Sequence, residues 1–245
     1  MTNQDKTVLV TGGSGFIATH CILKLAAAGY KVKSTVRNLE RVPDLNKILD
    51  KAGSTYERLN KIEVDWVSAD LTKDEGWSEA VKGCDYVMHV ASPLALEEPK
   101  DEIYLIVPSK EGTMRVLKAA AEEGIKKIVL TSSVAAIIYG HEKDSFNEED
   151  WTDTDAEGCS AYNKSKTYAE KAAWDFINSD ECNMELSVIN PSLVLGPVLE
   201  SDFGTSVEVV KRFLNGGFPL APNISFGIVD AVSYTHLTLP TKRIV

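Results

Sequence analysis

Tyr162 and Lys166, four residues apart, carry the sharpest chemical suggestion in this 245-residue chain. On a helix they share one face, about 6 Å apart along the axis. A free phenol ionises at roughly pH 10 and is a poor acid or base at neutrality. A neighbouring ammonium stabilises the phenolate, which makes such a pair usable for proton transfer at an oxygen. The spacing alone is common on amphipathic surface helices, so its weight depends on what surrounds it. The apolar run from Lys127 ends in Thr131-Ser132-Ser133. In a parallel sheet those hydroxyls stand at the carboxyl edge, where ligands collect. A hydroxyl there can bond a carbonyl oxygen as charge develops on it.

A second constellation is Thr11-Gly12-Gly13-Ser14-Gly15-Phe16-Ile17-Ala18, directly after the apolar run Thr7 to Val10. It reads as Gly-x-Gly-x-x-Ala at Gly13, Gly15 and Ala18, or as Gly-x-x-Gly-x-x-Ala from Gly12. Either way glycine permits a tight turn and lets a pyrophosphate approach the backbone, with the anion on the N-terminus of the helix that Phe16 and Ile17 open. An acid at the end of the next strand would take the ribose 2′-hydroxyl of NAD. This chain has Ser34-Thr35-Val36-Arg37-Asn38 instead. Arg37 offers its planar fork to a 2′-phosphate, which favours NADP(H) as cofactor, and Arg41 is one turn further on.

The elements that must position these residues alternate. Strands are expected at Thr7–Val10, Tyr30–Val36, Ile62–Val67, Asp85–Val90, Lys127–Thr131 and Leu186–Asn190. Helices are expected at Phe16–Ala28, Leu45–Lys51, Trp77–Lys82, Glu111–Glu123 and Ala161–Asn178. Strands apolar on both faces, separated by helices, predict an α/β Rossmann fold with a doubly wound parallel sheet. The clearest loop is Gly140 to Gly158. With 36 acidic and 26 basic residues the net charge is −10, which disfavours nucleic acid or an anionic membrane as partner. The four cysteines are widely spaced, suggesting neither a metal knuckle nor a redox dithiol. With no apolar leader and no long apolar run, a cytoplasmic protein is expected.

The combination resembles the extended short-chain dehydrogenase/reductases, within the NAD-dependent epimerase/dehydratase superfamily, and most of all their dihydroflavonol-4-reductase-like group. The residues that carry it are Thr11 to Ala18, Ser34 to Arg37, Asp70-Leu71, His89-Val90-Ala91-Ser92-Pro93, Thr131-Ser132-Ser133, Tyr162 to Lys166 and Asn190-Pro191-Ser192. The resemblance implies an oxidoreductase with a Ser133–Tyr162–Lys166 triad and no metal. It implies that Asp70 and Leu71 flank the adenine, that Val90, Ala91 and Ser92 line the cofactor, and that Pro191 and Ser192 approach the nicotinamide. Lys166 would also bond the nicotinamide ribose. The implied reaction is NADPH-dependent reduction of a small-molecule carbonyl, and a homodimer through the helices at Glu111–Glu123 and Ala161–Asn178 is common in relatives.

Two departures matter. Plant flavonoid reductases of this group carry an Asn five residues after the catalytic Ser. Here Ile138 stands there and cannot make that bond, so a smaller aldehyde or ketone is expected; nearby His141 is read as a solvated loop residue. The resemblance also stops near Asp230. Residues 1–191 are therefore read as the NADP-binding domain and 192–231 as a partial substrate lobe. Residues 232–245, which lack a helical period, are read as a non-native tail. Phe213, Leu214 and Phe218 would then lack covering partners. Two other functions fit less well. A nucleotide-sugar epimerase usually has an acid at the end of strand two, which is absent here, and a dehydratase has acids after the catalytic hydroxyl, where this chain has Val134, Ala135 and Ala136. A non-catalytic NADP-binding sensor typically loses the Tyr–Lys pair.

Overall fold

The computed structural model describes residues 3–93, 99–180, 182–199, 204–217, 227–234 and 243–244. Its sheet is parallel throughout, in the order β3-β2-β1-β4-β5-β6-β9. The strands are β1 (Thr7–Val10), β2 (Lys31–Val36), β3 (Val64–Ser68), β4 (Tyr86–His89), β5 (Lys127–Thr131), β6 (Glu185–Ile189) and β9 (Arg243–Ile244). The helices α1 (Phe16–Ala27), α2 (Val42–Ala52), α3 (Trp77–Val81), α4 (Ile103–Glu122) and α5 (Ala161–Ile177) connect them. A separate two-stranded parallel sheet joins β7 (Leu193–Leu195) to β8 (Ile228–Asp230), with α6 (Gly204–Leu214) and α7 (Ala231–Tyr234) beside it.

Period-2 alternation divides the core in two. Leu9, Val87, Ile128, Leu130 and Val188 pack against Val116 and Leu117 of α4 and Ala173 of α5. The intervening Val8, Val10, Met88, Val129 and Ile189 pack against Cys21, Ile22 and Leu25 of α1 and Leu49 of α2. Both faces are covered, which is why these strands read as continuous apolar runs. Lys33 is the exception: it is buried, and its ammonium donates to the carbonyls of Glu79 (2.6 Å) and Lys82 (3.2 Å) at the end of α3. The order reverses between β1 and β4, which opens a crevice at their carboxyl ends.

The structure differs from the sequence reading most at the start of α4 and beyond residue 231. Helix α4 begins at Ile103, not Glu111, and carries Pro108 inside it. Proline removes the N–H that would reach the carbonyl of Tyr104, and Tyr104 is 75% exposed, where water can serve that carbonyl instead. The segment after 231 is not wholly irregular. Asp230 accepts from the backbone N–H (2.8 Å) and hydroxyl (3.0 Å) of Ser233, which starts α7. Arg243–Ile244 occupies the open edge of β6, whose backbone groups need partners. In α6, Phe213 and Leu214 are exposed; Phe218 lies outside the described residues.

Candidate active site

The crevice is a cleft of about 780 Å³. One wall is the turn after β1. Gly12 has φ +71°, and a Cβ there would stand 2.9 Å from the Cβ of Ala91, so only glycine lets the two loops touch. The N–H of Gly12 donates to the Thr35 hydroxyl (2.9 Å), that of Gly13 to the Thr35 carbonyl (2.8 Å), and that of Gly15 to the Gly12 carbonyl (2.8 Å). These donors are therefore occupied within the protein. Gly15 is the N-cap of α1 and supplies no side chain, so the first-turn N–H groups have no cap. Phe16, Ile17 and Ala18 line the cleft. An anion here meets the positive end of a helix.

Gly13, expected at the cofactor, is not among the lining residues. A Cβ on it would fall 2.1 Å from the Ser34 hydroxyl and 2.7 Å from the Trp66 ring. Its missing side chain serves packing of the turn on β2 and β3. Arg37 is exposed and lines the cleft with Val36, Asp70 and Leu71. The Asp70 carboxyl is held below its usual range, mainly by the Thr72 backbone N–H and with help from the Arg37 charge. Arg41 does not line the cleft; its N–H closes a turn on Asn38.

The β4 end is fixed by Thr11. Its hydroxyl oxygen accepts from the N–H groups of Val90 (3.1 Å) and Ala91 (3.0 Å) and lies 2.9 Å from Nδ1 of His89. With both lone pairs engaged, its one hydrogen must go to Nδ1, so the proton of neutral His89 sits on Nε2. Burial pushes the His89 imidazole down to about 3, aided by the Lys166 charge. An unfolded histidine takes up a proton below roughly pH 6.5, which the native one does not until about pH 3. Between those values the unfolded state binds more protons, so stability is lost as the pH is lowered, by about 1.4 kcal/mol per unit from this group. Thermal melts across that window are expected to show the decline, shallower in His89→Gln; equal slopes for the two proteins would refute the assignment.

The remaining wall carries the predicted triad. Ser160 caps α5 by accepting from the Asn163 N–H (3.1 Å), which places Tyr162 and Lys166 in its first two turns. Lys166 is 8% exposed, with its ammonium 5.9 Å from the Tyr162 ring centroid. Among the described residues no acid pairs with it. Ser133, also 8% exposed, accepts from the Ala135 N–H (3.1 Å), so its own hydrogen is available to an oxygen in the cleft. Val90, Ala91, Ser92, Pro191 and Ser192 complete the lining from the loops after β4 and β6. Ile138 and His141 do not line it; His141 is exposed, its Nε2 2.6 Å from the Trp151 carbonyl.

A model of the NAD dependent epimerase/dehydratase family matches residues 8–225. The chain belongs to this family. It is 35% identical to a cinnamoyl-CoA reductase of Medicago truncatula, over 96% of this chain and 72% of the relative. It is 34% identical to a dihydroflavonol 4-reductase of Zea mays, over 96% of this chain and 64% of the relative. Among solved structures it resembles the methylglyoxal/isovaleraldehyde reductase Gre2 of yeast complexed with NADPH (TM-score 0.74, 28% identity, 94% of this chain and 72% of that one). It also resembles Gre2 of Candida albicans in complex with NADPH (TM-score 0.76, 30% identity, 94% and 72%). The chain thus spans about two thirds of these relatives' length.

Sequence reasoning missed several participants of this family member's cleft. Thr35 and Trp77 line it from β2 and α3, and Gly204, Thr205, Ser206, Glu208 and Arg212 from α6. A hydroxyl near the end of an apolar strand was the available signal for Thr35. Nothing local ties α6 to the cleft, since its approach to Phe16 depends on tertiary packing.

Proposed function

We propose that this chain reduces an aldehyde or ketone with NADPH through Ser133, Tyr162 and Lys166. Its class, an NADP(H)-dependent oxidoreductase, is that of relatives named as reductases and of neighbours complexed with NADPH. The observation that carries the reading is the buried Lys166 ammonium, paired with no acid among the described residues and set behind Tyr162 on the cleft. A buried unpaired charge is costly and marks a working site.

The lining suits the dinucleotide. The uncapped first turn of α1 would take the pyrophosphate, and Arg37 the 2′-phosphate. Asp70 and Leu71 would flank the adenine, Val90 to Ser92 the middle of the cofactor, and Pro191 and Ser192 the nicotinamide. When bound, NADPH supplies the hydride that the carbonyl carbon receives. Ser133 donates its hydrogen bond to the carbonyl oxygen and holds it beside Tyr162. Tyr162 gives its phenolic proton to that oxygen, and the Lys166 ammonium stabilises the charge left on the phenol. Of the lining acids, Asp70 belongs to the adenine end and Glu208 sits 3.6 Å from both Lys211 and Arg212. On this reading neither acid serves as a base toward the substrate, which favours reduction over dehydration.

The same reading includes a cytoplasmic protein and a homodimer through α4 and α5. Ile103, Tyr104 and Val107 of α4 are exposed apolar side chains consistent with such a partner. Among the described residues no helix is long and apolar enough to cross a membrane. The test is a panel of small aldehydes and ketones with NADPH, followed by absorbance. Carbonyl-dependent consumption of NADPH over NADH is expected. Turnover of a nucleotide sugar without net NADPH consumption would replace this reading with an epimerase.

A further inference from the structure

The geometry points to Glu170 and Asn190 as positioning residues that hold Ser133 in register with the Tyr162–Lys166 helix; this rests on the triad reading above. Glu170 lies one turn beyond Lys166 on α5 and is fully buried. Its Oε2 accepts from the Asn190 side-chain amide at 2.7 Å, and its Oε1 accepts from the Trp174 indole N–H at 3.3 Å. The same Asn190 amide nitrogen donates to the backbone carbonyl of Ser133 at 3.1 Å. An amide nitrogen has two hydrogens, so both are used. One binds the helix that carries the proton donor, and the other binds the residue that orients the carbonyl.

The surrounding backbone makes this a bracket between elements. The Ser132 N–H donates to the Ile189 carbonyl (2.8 Å), and the Val134 N–H donates to the Pro191 carbonyl (3.1 Å). The ends of β5 and β6 are thus laced together on either side of Ser133. Neither bond reaches α5; among these contacts only Asn190–Glu170 does. Aspartate at 190 would have no hydrogen to give and would set a second anion against Glu170. An apolar residue at 170 would leave an amide hydrogen of Asn190 buried without an acceptor. Position matters because a misplacement of about 1 Å at a reacting group costs on the order of a hundredfold in rate.

The test is a double-mutant cycle on the full chain, read as kcat, KM and NADPH affinity. Asn190→Ala and Glu170→Met are each expected to lower kcat about 10- to 100-fold, with NADPH affinity within about twofold of the parent. The conservative Glu170→Gln keeps an acceptor for Asn190 and is expected to recover most of the lost kcat. In a Ser133→Ala background, Asn190→Ala is expected to lower kcat no further, because it acts through Ser133. An equal loss in both backgrounds overturns the bracket and leaves the triad standing. A Ser133→Ala protein with undiminished kcat overturns the triad reading and the bracket with it. Should Asn190→Ala fail to fold, Glu170→Met in the same two backgrounds decides the question by the same criterion.

Discussion

Tyr162→Phe is expected to lower carbonyl-dependent NADPH oxidation by about 10²- to 10⁴-fold, the range typical for loss of a general acid. The substitution removes one oxygen and keeps the ring. The ring is half-buried on the cleft wall, with the Lys166 ammonium 5.9 Å from its centroid. Packing of α5 therefore survives, and so does the cation beside the ring. What is lost is the only phenol on the cleft lining among the described residues. Ser133 cannot replace it, because an aliphatic hydroxyl is a far weaker acid than a phenol. His89 cannot replace it either, since the imidazole is buried and held neutral, with its proton on Nε2. NADPH affinity is expected to stay within about threefold, because the first turn of α1 and Arg37 are untouched. Stopped-flow or steady-state rates with a saturating aldehyde, beside an NADPH fluorescence titration, make the comparison. Retention of more than a tenth of the parent rate would remove Tyr162 from the role of proton donor.

Much of this site was legible because the fold delivers it from the ends of consecutive strands. The turn after β1, the end of β2 and the loops after β4, β5 and β6 each carry a short motif, and a parallel sheet brings all of them to one edge. Tyr162 and Lys166 were legible because helical spacing is local. Gly13 shows where that logic is incomplete. Its type fits a close approach by phosphate, yet the close approach it permits is to Ser34 and Trp66. A glycine reports that something comes near, and not what. Pro108 hid the first turns of α4, because its cost depends on whether the orphaned carbonyl meets water, which is a property of the folded surface. The Glu170–Asn190 bond was out of reach for a different reason. A glutamate on the second half of an amphipathic helix reads as solvated, and only the folded chain shows it fully buried against β6.

Arg37→Ala is expected to weaken NADPH binding about 10- to 100-fold while leaving NADH within about threefold, since charge-assisted contacts from a guanidinium fork to phosphate are the strong kind. Arg37 follows β2 directly, at the place where an acid would select the 2′-hydroxyl of NAD. With arginine there, the chain offers a cation where an acid would stand. Asp70 is a counterweight: the Arg37 charge helps to hold its carboxyl below the usual range, so part of the guanidinium's field is already answered before any ligand arrives. Arg37 is also exposed, so water and salt screen it. Both effects place the expected loss toward the lower end. They also predict that the preference for NADPH over NADH shrinks as ionic strength rises, and that Arg37→Ala abolishes this salt dependence. Arg41 is not on the cleft lining, so Arg41→Ala is expected to leave the ratio unchanged. Titrating both nucleotides against parent and variant at low and high salt measures all of these effects. Equal weakening of NADPH and NADH in Arg37→Ala would mean that the substitution disturbed the β2 end itself, and the 2′-phosphate contact would then have to be sought on another residue.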